Sequence, residues 1–195
     1  MLNFERIKTT KHGGEMFRNY YPDIHVPSVF NIDYQELYQK GYRGIIFDLD
    51  NTLVHHGDDS TPEIDALFHM IHEIGLKTII LSDNTEERIL CFLKNIDSSY
   101  IADANKPDLQ GYQKALKILG VSADRSVCIG DQVFTDIYGA NCAGIANILV
   151  DFIRLPHEKR IGKKRWLEKF VLLLCKISST HTNRIGNIYI EKTEE

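Results

Sequence analysis

Five short apolar runs, separated by stretches of helical spacing, restrict what this chain can fold into. They are Gly44 to Phe47, Thr78 to Leu81, Tyr100 to Ala102, Val127 to Gly130 and Ile145 to Val150. Runs of this length, rich in β-branched residues, are predicted to be buried strands. Between the first two, Ile64, Leu67, Phe68, Ile71 and Ile74 recur at helical spacing. Thr61-Pro62-Glu63 starts that helix with a capping hydroxyl, a first-turn proline and an acid at the positive end, and Gly75 closes it. A second helix is capped by Thr85, with Ile89, Leu90 and Leu93 as its apolar positions. A third runs from Asp108 to Gly120 through Tyr112, Ala115, Leu116 and Leu119, and a short one spans 136–143. Strands joined through helices call for parallel pairing and right-handed crossovers. Residues 42–152 are therefore expected to form an open α/β sheet with helices on both faces.

The rest of the chain flanks that core. Residues 1–18 are polar and unpatterned; Pro22 and Pro27 keep the next stretch extended, and Ile32, Tyr34, Leu37 and Tyr38 suggest a short helix beside the first strand. The expected division is a lead-in over 1–41, the core over 42–152 and a basic amphipathic segment over 153–195. Between Arg154 and Ile177 eight Lys or Arg face two Glu, a local balance of +6 in a chain of net charge −4. An acidic body with a basic segment implies two different surroundings. Four cysteines, at positions 91, 128, 142 and 175, form no C-x-x-C pair, and the eight histidines show no metal-binding spacing. Reduced thiols in a cytoplasmic setting are expected, without a zinc site. The longest apolar run, Phe170 to Cys175, is six residues, too short to span a membrane, and residues 1–17 lack the apolar core of a secretion signal.

Chemistry-bearing residues collect at the strand ends. Asp48 and Asp50 follow the first run, with Thr52 two residues on; on an extended segment the two carboxylates start on the same side. Like charges so close repel unless a cation or a proton lies between them. Ser82, Lys106 and Asp131 lie at or just after three other runs, with Asp136 close behind. In an open parallel sheet the carboxyl ends of the strands face one crevice. Carboxylates, a hydroxyl and an ammonium gathered there suit a magnesium ion and a phosphate. Each residue also has a plain reading: Asp48 and Asp50 in a solvated acidic turn, Ser82 a loop hydroxyl, Lys106 a surface lysine, Asp136 a helix cap.

The ordered set DLDNT at 48–52, Ser82, Lys106-Pro107 and GDQVFTD at 130–136 resembles the four motifs of haloacid-dehalogenase-type phosphatases. The lead-in PDIHVPSVFNID at 22–33 and the form of the last motif are similar to the YqeG subgroup, classed as subfamily IIIA and related to mitochondrial phosphatidylglycerophosphate phosphatases. The resemblance implies an open parallel Rossmann-like three-layer sheet and a magnesium-dependent phosphomonoester hydrolase. It implies Asp48 as nucleophile, forming an aspartyl-phosphate, and Asp50 as general acid and then base, its backbone carbonyl also ligating the metal. Thr52 would orient Asp50 and its loop, Ser82 and Lys106 would hold the phosphoryl oxygens, and Asp131 would complete the metal site. Asp136 would be a ligand or the partner of one. Asp83 departs from the subgroup, where an asparagine is expected, and an extra carboxylate there would disfavour anionic substrates.

The gaps bear on substrate. Asp50 to Ser82 spans 32 positions and Ser82 to Lys106 spans 24, each filled by a helix and a strand, which leaves no room for a cap domain. An open crevice suits a phosphate presented on something large, such as a lipid headgroup, with phosphatidylglycerophosphate the leading candidate. Trp166, Phe170, Val171, Leu173, Leu174 and Ile177 fall at helical spacing beside Lys163, Lys164, Arg165 and Lys169. Such a helix can lie in a membrane interface, giving peripheral membrane contact through 154–177, or pack on the sheet with its lysines in water. Nucleic acid ranks lower because aromatic interleaving is absent. The competing functional readings are a non-catalytic phosphate- or RNA-binding module of the same fold, and a phosphatase for a soluble nucleotide or sugar phosphate.

Overall fold

The computed structural model describes residues 17–154, 163–177 and 183–191. Six strands form one sheet: β1 (Ile24–Val26), β2 (Gly44–Phe47), β3 (Lys77–Leu81), β4 (Ser99–Ile101), β5 (Ser126–Gly130) and β6 (Ala146–Val150). Their order is β1-β6-β5-β2-β3-β4, and every neighbouring pair is parallel. The helices are α1 (Tyr34–Gln39), α2 (Pro62–Ile74), α3 (Glu86–Phe92), α4 (Leu109–Leu119), α5 (Tyr138–Cys142) and α6 (Lys163–Ile177).

Side chains alternate across a strand, and here both faces are covered. Ile45 and Phe47 pack with Phe68 and Ile71 of α2 and with Ile89 and Phe92 of α3. Ile46 points the other way, into a cluster with Tyr112, Ala115 and Leu119 of α4. This is why the strands read as continuous apolar runs. Thr61 Oγ1 accepts from the Ile64 N–H, Asp108 accepts from the Gln110 N–H, and Gly75 ends α2 at a φ of +97°. Thr85 stands at the start of α3, but its side chain makes no capping hydrogen bond.

Register places the site. Phe47 lies opposite Ile80 on one side and Ile129 on the other, so the carboxyl ends of β2, β3 and β5 are level. No cap domain interrupts residues 17–154.

The flanks differ from expectation in two places. Ile24–Val26 is a sheet strand, pairing with β6 through Ile24 and Ile148, so the sheet starts well ahead of residue 42. A strand of three residues, set between Pro22 and Pro27, is too short to show periodicity, and an edge strand tolerates flanking prolines. Residues 183–191, placed by sequence at the end of the basic amphipathic segment, pack onto the lead-in: Ile185 and Ile188 are buried, and Ile32 bridges Tyr189 antiparallel. Arg184 grips the buried Asp23 carboxylate through two nitrogens, Nε at 2.8 Å and Nη2 at 2.7 Å.

Candidate active site

Asp48 is the first residue beyond β2; its N–H donates to the Ile129 carbonyl at 2.9 Å, so the residue is still registered on β5. The chain then turns tightly. Asn51 takes a φ of +66°, which asparagine tolerates, and Asp50 bridges back to Val54. Leu49, Leu53 and Val54 are buried and pin the loop to the core. Thr52 Oγ1 donates to Asp48 Oδ2 at 2.8 Å and lies 3.3 Å from Asp131 Oδ1.

The turn sends the two motif carboxylates apart. The strand ends at Phe47, so the alternation that would put Asp48 and Asp50 on one side does not extend across them. Asp48 Oδ1 meets Lys106 Nζ at 2.5 Å. Asp50 faces a separate set of partners: His56 Nδ1 at 2.5 Å, Arg88 Nη2 at 3.0 Å and Asn84 Nδ2 at 3.1 Å. Their repulsion is relieved by separate counter-charges instead of a shared one. Ser82 Oγ, buried at the end of β3, accepts from Asn84 Nδ2 at 2.8 Å and so is tied to the Asp50 side.

Lys106 sits 4% exposed between two carboxylates, with Asp136 Oδ1 at 2.7 Å as the second partner. Burial works against its charge, but Asp136 and Asp48 beside it win and hold its pKa up. Asp83 accepts the Lys106 N–H at 2.8 Å, so the unexpected carboxylate fixes the lysine loop.

Asp131 follows β5, and a wide turn over Val133–Ile137, ahead of α5, presents Asp136. The turn replaces the first part of the helix expected over 136–143, and such widened turns are common at functional sites. Gly130 allows the approach: a Cβ there would stand 2.4 Å from Asp136 Cγ. Gly130→Ala is therefore expected to displace Asp136 and weaken divalent-cation affinity by about 10–100-fold, the scale of a lost supporting contact, read by calorimetric titration.

Oxygen atoms of Asp48, Asp131 and Asp136 lie within 4.8 Å of one another, all three residues buried. Burial, with the charges of Asp48 and Asp136, pushes Asp131 up to about 7 against the pull of Arg165. Burial also lifts Asp136 to about 6, aided by Asp48 and opposed by Lys106. Three buried carboxylates met, among the described residues, by only Lys106 and Arg165 keep a net negative charge, and hard oxygen donors of that kind fit a divalent cation. A sign follows for the metal-free protein. A carboxyl whose folded pKa lies above its unfolded value of about 3.9 binds more protons when folded, so its contribution is full below that value and lost as pH rises. With chelator, the unfolding midpoint is expected to fall from pH 5 to pH 8, and millimolar magnesium to flatten the fall. A decline that magnesium leaves untouched would separate the triad from cation binding.

Several participants escaped sequence reasoning. Arg165 of α6, read with its basic neighbours as facing either a membrane or water, turns inward. It donates to the Asp131 carboxylate, to the Asp131 carbonyl at 2.6 Å and to Glu168 Oε2 at 3.0 Å. Glu168, buried, also accepts the Val133 N–H at 3.2 Å. The acid three residues on from Arg165 in a basic helix was the available signal. His56, Asn84 and Arg88 carry no motif spacing, and only the fold brings them to Asp50. Lys159 and Arg160 lie outside the described residues, as do the side chains of Lys163 and Lys164.

A parallel sheet with this constellation at its carboxyl edge is the architecture of the haloacid dehalogenase-like hydrolases, and the chain belongs to that family. The model of that family matches residues 56–144, a span that takes in Ser82, Lys106, Asp131 and Asp136 and begins after Asp48 and Asp50. The relationship reaches the YqeG type of phosphatase. "Probable phosphatase YqeG" of Bacillus subtilis (strain 168) is 35% identical over 130 residues, 66% of this chain and 76% of that protein. "Phosphatidylglycerophosphate phosphatase 1, chloroplastic/mitochondrial" of Arabidopsis thaliana is 24% identical over 170 residues, 76% of this chain and 48% of that protein. A solved crystal structure superposes with a TM-score of 0.53 at 15% identity, covering 72% of this chain and 86% of its own, a likeness of fold alone. The protein is a phosphoric monoester hydrolase of a metal-using family, and its acidic triad is in place.

Proposed function

We propose that this phosphatase is magnesium-dependent and works through an aspartyl-phosphate on Asp48, with phosphatidylglycerophosphate as substrate. The observation that carries the reading is the buried cluster of Asp48, Lys106, Asp131 and Asp136 at the level ends of β2 and β5, beside a separately held Asp50.

In this reading a carboxylate oxygen of Asp48 attacks phosphorus as the ester P–O bond breaks. Asp50 gives its proton to the departing alkoxide. It then takes one from the water that attacks the acyl phosphate, releasing inorganic phosphate and restoring Asp48. Lys106 and Ser82 steady the phosphoryl oxygens, and Thr52 holds Asp48 in line and its loop in place. The carboxylates of Asp48, Asp131 and Asp136, with the Asp50 carbonyl, would hold the cation, which supplies charge neutralisation for the approaching phosphate. Little covalent chemistry is left to the protein in phosphoryl transfer, so rigid placement of charges does most of the work.

The lipid assignment is supported by the uncapped crevice, by the likeness to the Arabidopsis phosphatidylglycerophosphate phosphatase and by the outer face of α6. Trp166, Leu167, Phe170 and Leu173 are each at least 54% exposed, while Val171 and Cys175 pack inward. An apolar outer face bearing Trp suits an interface between water and acyl chains. No helix among the described residues is long and apolar enough to cross a membrane. Phosphate release with magnesium, over a panel of phosphatidylglycerophosphate, glycerol 3-phosphate, sugar phosphates and nucleotides, tests the substrate; preference for a soluble ester overturns the lipid reading. Because Arg165 is engaged with Asp131, the membrane test uses Trp166→Ala with Phe170→Ala, whose flotation with anionic liposomes should fall.

A further inference from the structure

We propose that the groove between the end of β6 and helix α6 is the subsite for the departing part of the substrate. Its occupant is a glycerolipid carrying a second, diester-linked phosphate. This rests on the phosphatase reading above and adds where the leaving group lies and which side chains select it.

A cavity of about 460 Å³ opens there, walled by the end of β6 with residues 151–154 on one side and by α6 on the other. Asp131 lines it, so one residue borders both the carboxylate triad and the groove. The segment 151–154 is anchored over the catalytic loop, the Ile153 N–H donating to the Asn51 carbonyl at 3.0 Å. The groove therefore opens beside the Asn51 backbone of the catalytic loop, one residue from Asp50, whose carboxylate is held by His56, Asn84 and Arg88.

The lining then selects the chemistry. Val133, Leu149 and Leu172 form an apolar floor. The acids of the lining are already matched. Asp151 pairs with His25 at 2.8 Å, Glu168 accepts from Arg165 and the Val133 N–H, and Asp131 is held by Arg165. Among the described residues, that leaves Arg154 on one wall and Lys169 on the other, both exposed, as positive charges of the rim. An apolar floor under a cationic rim fits an anion with methylenes attached. A phosphodiester keeps a single negative charge at neutral pH and offers two oxygens to an arginine fork. A nucleotide or sugar phosphate would set polar groups against the floor, which burial penalises.

The probe is dihexanoyl phosphatidylglycerol, the diester product such a reaction leaves, titrated below its micellar concentration into the full chain with magnesium and followed calorimetrically. The wild type is expected to bind it more tightly than glycerol 3-phosphate. Arg154→Glu with Lys169→Glu should weaken binding at least about ten-fold, as expected for reversing two charge-assisted contacts, with unfolding midpoints compared to verify the fold. No binding by the wild type, or affinity unchanged by the charge reversal, overturns the subsite. Binding lost as expected in a protein whose wild type hydrolyses no phosphoester sinks the catalytic reading and leaves the groove standing. Hydrolysis of phosphatidylglycerophosphate with the reversal silent sinks the groove alone.

Discussion

Asp48→Asn should remove phosphatase turnover by a factor on the order of 10⁴ or more, the scale on which enzymes lose rate when their nucleophile is deleted. The amide is close in shape, and Thr52 can still donate to its oxygen. Lys106 keeps Asp136 as a partner at 2.7 Å, so the fold has little reason to suffer. Removing one negative charge from the triad of Asp48, Asp131 and Asp136 also relieves mutual repulsion in the metal-free state. The unfolding midpoint in chelator should therefore hold or rise while activity vanishes. Phosphate release from p-nitrophenyl phosphate, read beside thermal unfolding, separates the two effects. Retention of a tenth of wild-type turnover by a well-folded variant would remove Asp48 from the nucleophile's role.

Lys106→Met should cost both stability and activity. Deleting one member of a buried ion pair commonly costs about 3–5 kcal/mol, because the stranded charge stays buried. Here the ammonium stands between Asp48 and Asp136, so its removal strands two carboxylates, with Asp131 close by. Those groups can escape by taking protons. The loss should therefore be largest near pH 8, shrink as pH falls towards 5, and be partly recovered by magnesium, which binds the folded state. Turnover with saturating magnesium should still be down about 10²–10³-fold, since a donor to the phosphoryl oxygens is missing. Denaturant unfolding at several pH values, with and without magnesium, reads the first effect. A midpoint that drops equally at every pH would show that Lys106 acts through packing and not through charge.

The central sheet and its crevice were legible because their signals are local. A strand buried on both faces reads as an apolar run, and a residue just beyond such a run must stand at the carboxyl edge. Asp48, Ser82, Lys106 and Asp131 could therefore be placed from sequence alone. The orientation of Asp50 could not, because it depends on the turn at Asn51, where the alternation of the strand has already stopped. Arg165 failed for a different reason. Its neighbours are basic, and composition assigns a whole helix one face, whereas the structure splits α6 into an outer apolar face and an inner row of Arg165, Glu168, Val171 and Cys175. The edge strand β1 was too short to announce itself. Its partners in β6 and in residues 183–191 lie more than a hundred positions away, beyond the reach of any local pattern.

The clasp between Asp23 and Arg184 has a consequence for how the chain matures. The two residues are 161 positions apart, and the N–H of Asp23 also donates to Asn147, 124 positions on. During synthesis the earliest strand thus waits, unpaired and bracketed by prolines, until most of the polypeptide has left the ribosome. The catalytic crevice, built from residues 48 to 136, can close first, and the sheet's outer margin is sealed last.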